Sequence, residues 1–259
     1  MNIEYHKWYS PSLGQDMELK VYGYLGKPLL VFPAQEGRFF DFENFGMINA
    51  ITEQIEGGKV KVFCIDSIDS QTWANWNAHP ADRARRHNDY DRYIVNEVAT
   101  FIRHHCNETT QKFITTGASL GAYHALNTFF RHPEVFDAAI GLSGVYDMRM
   151  FVGDYEDDNV YFNSPLKYLP NLTDPWYLEQ YRNSQIVVCV GQGAFEEEMI
   201  ADAHELKAIL ERKNIPAWVD IWGYDVFHDW PWWQKMLPYF LNKMDLTNCA
   251  ELFSCFACI

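Results

Sequence analysis

The apolar positions of this chain fall into two periods that take turns along its length. Residues 17–24 (MELKVYGY) alternate apolar and polar side chains, which predicts a half-buried antiparallel strand. Residues 29–32, 60–65, 112–116, 138–142, 186–190 and 217–222 are short, nearly continuous apolar runs, the pattern of strands buried on both faces. Between them lie helical stretches at 47–56, 81–106, 120 to about His132-Pro133, 197–213 and 230–242. Strand and helix alternate, so the chain predicts an α/β fold with a mostly parallel central sheet and helices on both faces. Residues 147–185 break the alternation. They are polar, irregular and rich in Tyr, Asn and Pro, and they read as an insertion over a sheet edge. The loop at 67–80, with Trp73 and Trp76, is long for a connector and is expected to border a site. No repeat or low-complexity linker divides the chain, so 1–259 reads as one domain with a Cys-rich tail at 245–259.

One junction carries chemistry. The run ending at Thr116 enters Gly117-Ala118-Ser119-Leu120-Gly121 and then an Ala- and Leu-rich helical stretch. A serine on a tight strand-to-helix turn leaves no room for β-carbons two residues before or after it, which accounts for both glycines. The helix that follows directs free N–H groups and the positive end of its dipole toward Ser119, where an oxyanion would form.

In a parallel sheet, ligands gather at the C-terminal strand ends. Two further loops at such ends hold a carboxylate and an imidazole. The loop after 186–190 reads Gly191-Gln-Gly-Ala-Phe-Glu196-Glu-Glu, and the loop after 217–222 reads Gly223-Tyr-Asp-Val-Phe-His228-Asp-Trp. Serine, carboxylate and histidine thus follow one another in the order found in α/β-hydrolases. Imidazole is suited to take the hydroxyl proton, and a carboxylate to fix its tautomer. Glu196, Glu197 and Glu198 all lie in the right loop. Asp202 is expected inside the next helix, pointing away, while Asp225 and Asp229 read as local turn-formers beside His228.

Composition narrows the class. A formal charge of −14 disfavours nucleic acid as a partner. No run approaches the roughly 18 apolar residues of a membrane span, and the start has no basic segment leading into an apolar one, so neither membrane nor secretion is expected. Six scattered cysteines without zinc-ligand spacing fit a cytoplasmic protein with reduced thiols and no metal. His104-His105 are adjacent at a helix end and face different sides, which argues against a metal there. His124, behind Ser119, reads as a packed residue, and Arg83, Arg85 and Arg86 as a solvated helix face.

The chain resembles the putative-esterase branch of the α/β-hydrolases, the group of esterase D, enterochelin esterases and mycolyltransferases. The marks are Gly117-Ala-Ser119-Leu-Gly121, Leu142-Ser-Gly-Val-Tyr-Asp147, Asn163-Ser-Pro-Leu166 and His228-Asp-Trp-Pro-Trp-Trp233. The resemblance implies acyl transfer from a small-molecule ester or thioester through an acyl-enzyme, with no cofactor. It implies Ser119 as nucleophile, His228 as base, Glu196 as the acid, and the backbone N–H groups of Leu120 and Gln35 as oxyanion donors. Val31-Phe-Pro-Ala34 stands where relatives carry Leu-Leu-His-Gly or Leu-Leu-Asp-Gly. Trp73 and Trp230 are expected at the substrate pocket. An acyltransferase of the same fold and a catalytically silent binding protein are the rival readings.

Overall fold

The computed structural model describes residues 1–246. Most of the Cys-rich tail expected at 245–259 lies outside that range. The core is one eight-stranded sheet: β1 (Ile3–Ser10), β2 (Gln15–Tyr22), β3 (Lys27–Phe32), β4 (Val60–Ile65), β5 (Phe113–Ala118), β6 (Phe136–Leu142), β7 (Gln185–Val190) and β8 (Trp218–Ile221). Their spatial order is β1-β2-β4-β3-β5-β6-β7-β8. β1 and β2 form an antiparallel hairpin, β2 joins β4 antiparallel, and β3 to β8 run parallel.

The fully buried strands send alternate side chains into two cores, as a period of two requires. Leu30, Phe32, Phe63 and Phe113 pack under the helices Pro80–Tyr93, Ala99–Cys106, Leu120–Arg131 and Glu197–Arg212. Leu29, Val31, Val62 and Ile114 pack on the other face, under Thr52–Glu56 and Trp230–Lys243. The chain leaves β3 for β4 over one face and leaves β4 for β5 over the other. β3 and β5 are neighbours in the sheet, so the strand order reverses between them, the place where parallel sheets usually bind ligands.

Three departures from the sequence pattern matter. β1 was not expected, although Asn2, Glu4, His6 and Trp8 alternate with more exposed neighbours along it. The helix expected over 81–106 contains a π turn at Ile94–Val98 between two α segments. Residues 147–185 are only partly irregular, and they connect strands that are not at a sheet edge. They form the short helices Arg149–Val152, Asp158–Tyr161, Pro165–Tyr168 and Pro175–Arg182, which connect the inner strands β6 and β7. Asp158–Tyr161 and Pro165–Tyr168 pack on Pro80–Tyr93, Leu120–Arg131 and Glu197–Arg212, so this segment is a second layer over helices. Leu166, Tyr168, Leu169 and Tyr181 of this segment join the same buried cluster as the sheet side chains Leu30, Phe32 and Phe113.

Candidate active site

Ser119 sits between β5 and the helix Leu120–Arg131 with φ 57° and ψ −127°, a backbone conformation that L-residues rarely adopt. Packing around the turn holds it there. A β-carbon on Gly117 would stand 2.3 Å from the carbonyl oxygen of Gly121. One on Gly121 would meet the carbonyl oxygens of Pro33 and Phe32 at 2.5 and 2.6 Å. The two glycines thus let the turn close on itself and let the helix press against the end of β3. Ser119 N–H donates to Leu142 O at 2.9 Å, which fixes the turn to β6 as well.

The loop after β3 approaches from the other side. Gln35 is exposed, and its N–H has no acceptor among the described residues. Leu120 is the first residue of its helix, where an N–H has no intrahelical partner. Glu36, at φ 55°, donates its N–H to Asp69 Oδ2 at 2.9 Å. The other oxygen of Asp69 meets His124 Nε2 at 2.8 Å, and both side chains are 1% exposed. His124 therefore does more than fill space behind Ser119: it ties the serine's helix, through Asp69, to the loop that carries Gln35.

Glu196 and His228 are brought together by two interlocked loops. Gly193 N–H donates to Val226 O at 2.7 Å, and His228 N–H to Ala194 O at 3.1 Å. A β-carbon on Gly191 would collide with Val226 O at 2.1 Å, so the Gly-Gln-Gly sequence is what permits the contact. Glu196 is completely buried at the start of Glu197–Arg212. Its Oε2 lies 3.4 Å from His228 Nδ1, long for a hydrogen bond. Its Oε1 accepts from Ser143 Oγ at 2.6 Å, and Ser143 Oγ in turn accepts from Trp233 Nε1 at 3.0 Å. The Trp233 ring meets the His228 ring edge-on at 5.0 Å. Among the described residues, no hydrogen bond joins Ser119 Oγ to His228.

The alternative carboxylates separate cleanly. Glu197 and Glu198 are exposed on the first turn of the helix, where they face its dipole. Asp225 is exposed, and Asp229 caps Trp230–Lys243 by accepting from Trp230 N–H. Asp202 does not point away from the strand ends as expected. It accepts the N–H groups of Tyr146 and Asp147 at 2.5 and 3.0 Å and so anchors the segment after β6. Burial pushes its carboxyl up, against those two bonds.

Trp73 needs a correction too. It is fully buried, its ring lies 4.9 Å from that of His87, and its carbonyl accepts from Arg83 Nη1 at 3.0 Å. A ring with no accessible surface cannot touch substrate from there. Arg83 is buried as well and also donates to Phe151 O, so it is not a solvated helix face. Trp76, the other tryptophan of that loop, is exposed and stacks on Phe151 at 5.8 Å. Trp230 is half-buried, stacked on Phe45 at 4.5 Å and edge-on to Trp233 at 5.0 Å. Sequence reasoning missed Ser143, Trp233 and Asp69 as parts of this site. Ser143 follows β6 at φ 52° and lay inside the noted Leu-Ser-Gly stretch, so a signal for it was there.

The model of the family described as putative esterase matches residues 10–244. The chain belongs to that family. Its architecture is the α/β-hydrolase fold, shared with solved structures of low sequence identity. A ferulic acid esterase is 14% identical with a TM-score of 0.72, over 93% of this chain and 98% of its own. An S-formylglutathione hydrolase from Staphylococcus aureus is 16% identical with a TM-score of 0.66, over 94% and 99%. The enterobactin esterase of Shigella flexneri is 18% identical with a TM-score of 0.65, over 94% of this chain and 59% of its own. Comparison with curated protein sequences found no match. Family membership makes the chain a hydrolase of the esterase type. Among the described residues no helix is long and apolar enough to cross a membrane.

Proposed function

We propose that the protein is a serine esterase or thioesterase that forms an acyl-enzyme on Ser119. The observation that carries this reading is the pairing of a strained Ser119 at the end of β5 with a buried Glu196 beside His228 Nδ1. In the reaction, Ser119 Oγ attacks the acyl carbon while His228 Nε2 takes its proton. The carbonyl oxygen gains charge and accepts from the N–H groups of Leu120 and Gln35. The tetrahedral adduct collapses, the C–O or C–S bond to the leaving group breaks, and His228 returns the proton to that group. Water then repeats the sequence and frees the acid. Glu196 holds the ring in the tautomer with a proton on Nδ1 and stabilises the imidazolium. The bond between Ser119 and His228 forms as substrate binds, since such contacts are often long in empty sites.

No metal or organic cofactor is required by these steps. Exposed rings on the loops of Glu196 and His228, namely Phe195, Tyr224 and Phe227, support a small substrate with an apolar or aromatic portion. Trp230 would flank the histidine side of that surface. The named activities of the similar structures, on ferulic acid esters and on S-formylglutathione, define the first substrates to try. Among the described residues, Cys64, Cys106 and Cys189 are free thiols, which supports a reducing, cytoplasmic location. The deciding experiment is labelling with a fluorophosphonate and mapping of the adduct, followed by turnover of p-nitrophenyl esters of rising chain length, a feruloyl ester and S-formylglutathione. An adduct on Ser119 with turnover of any of these supports the proposal; an adduct on another serine overturns it.

A further inference from the structure

β1 is an edge strand, and its inner face is polar. Side chains two apart on a strand share a face, which sets Asn2, Glu4, His6, Trp8 and Ser10 together. Toward its C-terminal end this face is held by one helix residue: Glu97 accepts from Trp8 Nε1 at 2.9 Å and from Ser10 Oγ at 2.8 Å. Toward its N-terminal end the arrangement is different. Glu4 Oε2 stands 3.3 Å from His6 Nε2 and 2.9 Å from His105 Nε2, the latter from the last turn of Ala99–Cys106. Two imidazole nitrogens therefore converge on one carboxylate oxygen, and the three ligand atoms all lie within 4.8 Å of one another.

From this convergence we infer a divalent transition-metal site, fitted to zinc, made by Glu4, His6 and His105. Zinc bonds of about 2.0–2.2 Å in tetrahedral geometry keep ligand atoms about 3.4 Å apart, and the carboxylate oxygen stands 3.3 and 2.9 Å from the two imidazole nitrogens. A metal at the centre would replace the two hydrogen bonds to Oε2 with three coordinate bonds and leave a fourth position for water. Imidazole and carboxylate are ordinary zinc donors, and two histidines with one glutamate form a recurring three-ligand set.

The surroundings already hold the donors in place. Asn2 Nδ2 donates to Glu4 Oε1 at 2.7 Å, which orients the carboxylate and leaves Oε2 free for the metal. Packing fixes the rings: His105 lies edge-on to Phe63 at 5.6 Å and to His6 at 5.5 Å, and His6 edge-on to Phe101 at 4.8 Å. The side chains of Glu4, His6 and His105 are 35%, 30% and 12% exposed, so an ion can enter from solvent. A chain of charge −14 also concentrates cations at its surface.

His105 lies on the helix that leads into β5, while Ser119 leaves the far end of that strand. Six residues at about 3.3 Å each put roughly 20 Å between the two ends. The ion would therefore staple the N-terminal edge strand to the helix Ala99–Cys106 and take no part in ester chemistry. Sequence spacing could not show this, because Glu4 and His6 are about a hundred residues from His105.

The test uses full-length, untagged protein stripped with EDTA. Zinc titrated by calorimetry is expected to bind at one site and to raise the melting temperature. Cobalt in its place should give the visible absorption of a four-coordinate ion. His6→Gln, on the exposed edge, should lower zinc affinity at least about tenfold, and so should Glu4→Gln and His105→Gln. Asn2→Ala, which loosens only the carboxylate's support, should cost about tenfold. His104→Gln and Ser119→Ala should bind as the wild type does. Absence of saturable binding, or binding unchanged in His6→Gln and Glu4→Gln, would overturn the site. Should His105→Gln not fold, those two variants decide the matter.

Discussion

Asp69 and His124 meet at 2.8 Å in a fully buried contact, and the same carboxylate accepts the N–H of Glu36. One side chain therefore sets the distance between the two elements proposed to hold the oxyanion: the helix that starts at Leu120 and the loop that carries Gln35. Asp69→Ala should lower kcat with little change in KM, by tenfold up to the roughly 10²–10³ that loss of an oxyanion donor costs. Asp69→Asn should recover most of the loss, because its amide oxygen can still accept from Glu36. Steady-state kinetics on one ester decide this. A fall confined to KM would place the pair outside the oxyanion arrangement.

Ser119→Ala should keep the fold and reduce ester turnover to background. The β-carbon already present at 119 is retained, so the tight approach of Gly117 to Gly121 is undisturbed. Circular dichroism checks the fold, and a fluorophosphonate probe checks the nucleophile. Retention of most of the activity would show that the strained serine is structural.

Glu196→Gln should preserve the buried position and yet lower kcat by up to about 10⁴-fold, by analogy with the neutralised acid of a serine protease. Glu197→Gln and Glu198→Gln, both exposed, should stay close to wild type. Ser143→Ala removes the hydroxyl between Glu196 and the Trp233 indole, leaving both polar atoms buried with one partner fewer. A rate between those of wild type and Glu196→Gln is expected for it. If Glu197→Gln proves the crippling change, the acid has been misplaced by one residue.

Much of this arrangement was legible from the chain because steric rules are local. Gly117 lets the turn close on Gly121, and the apolar runs of β3 to β7 announce a sheet buried on both faces. What could not be read depended on contacts between distant segments. Trp73 looked like a pocket residue because its loop is long, yet the layer formed by 147–185 covers it, and Phe151 from that layer meets the Arg83 guanidinium that also holds Trp73. Asp202 looked misdirected because the path of the chain after β6 was unknown. β1 escaped notice although its alternation is regular, since its inner face is polar and gives no apolar stripe.

The last prediction concerns stability against pH. His132 Nε2 sits 2.9 and 3.0 Å from the two oxygens of Asp91, and its Nδ1 lies 3.3 Å from Glu134 Oε1. Burial alone would push the imidazole down; the bonds to Asp91 and Glu134 outweigh it, and His132 is raised to about 9. Asp91 is held below the usual carboxylate range, with burial opposed by the His132 bond and by the nearby Arg131. The folded state thus binds the His132 proton more tightly than the unfolded chain, whose imidazole titrates at about 6.5. Its contribution to stability is complete below that value and is lost as pH rises through about 9. Wild type should therefore lose melting temperature across this window. His132→Gln should start lower at pH 6 and lose less, so that the two curves approach one another by about pH 9.5, just past the folded value. Urea midpoints at the same pH values give a second reading. Parallel curves for the two proteins would show that the Asp91 pair does not hold the proton.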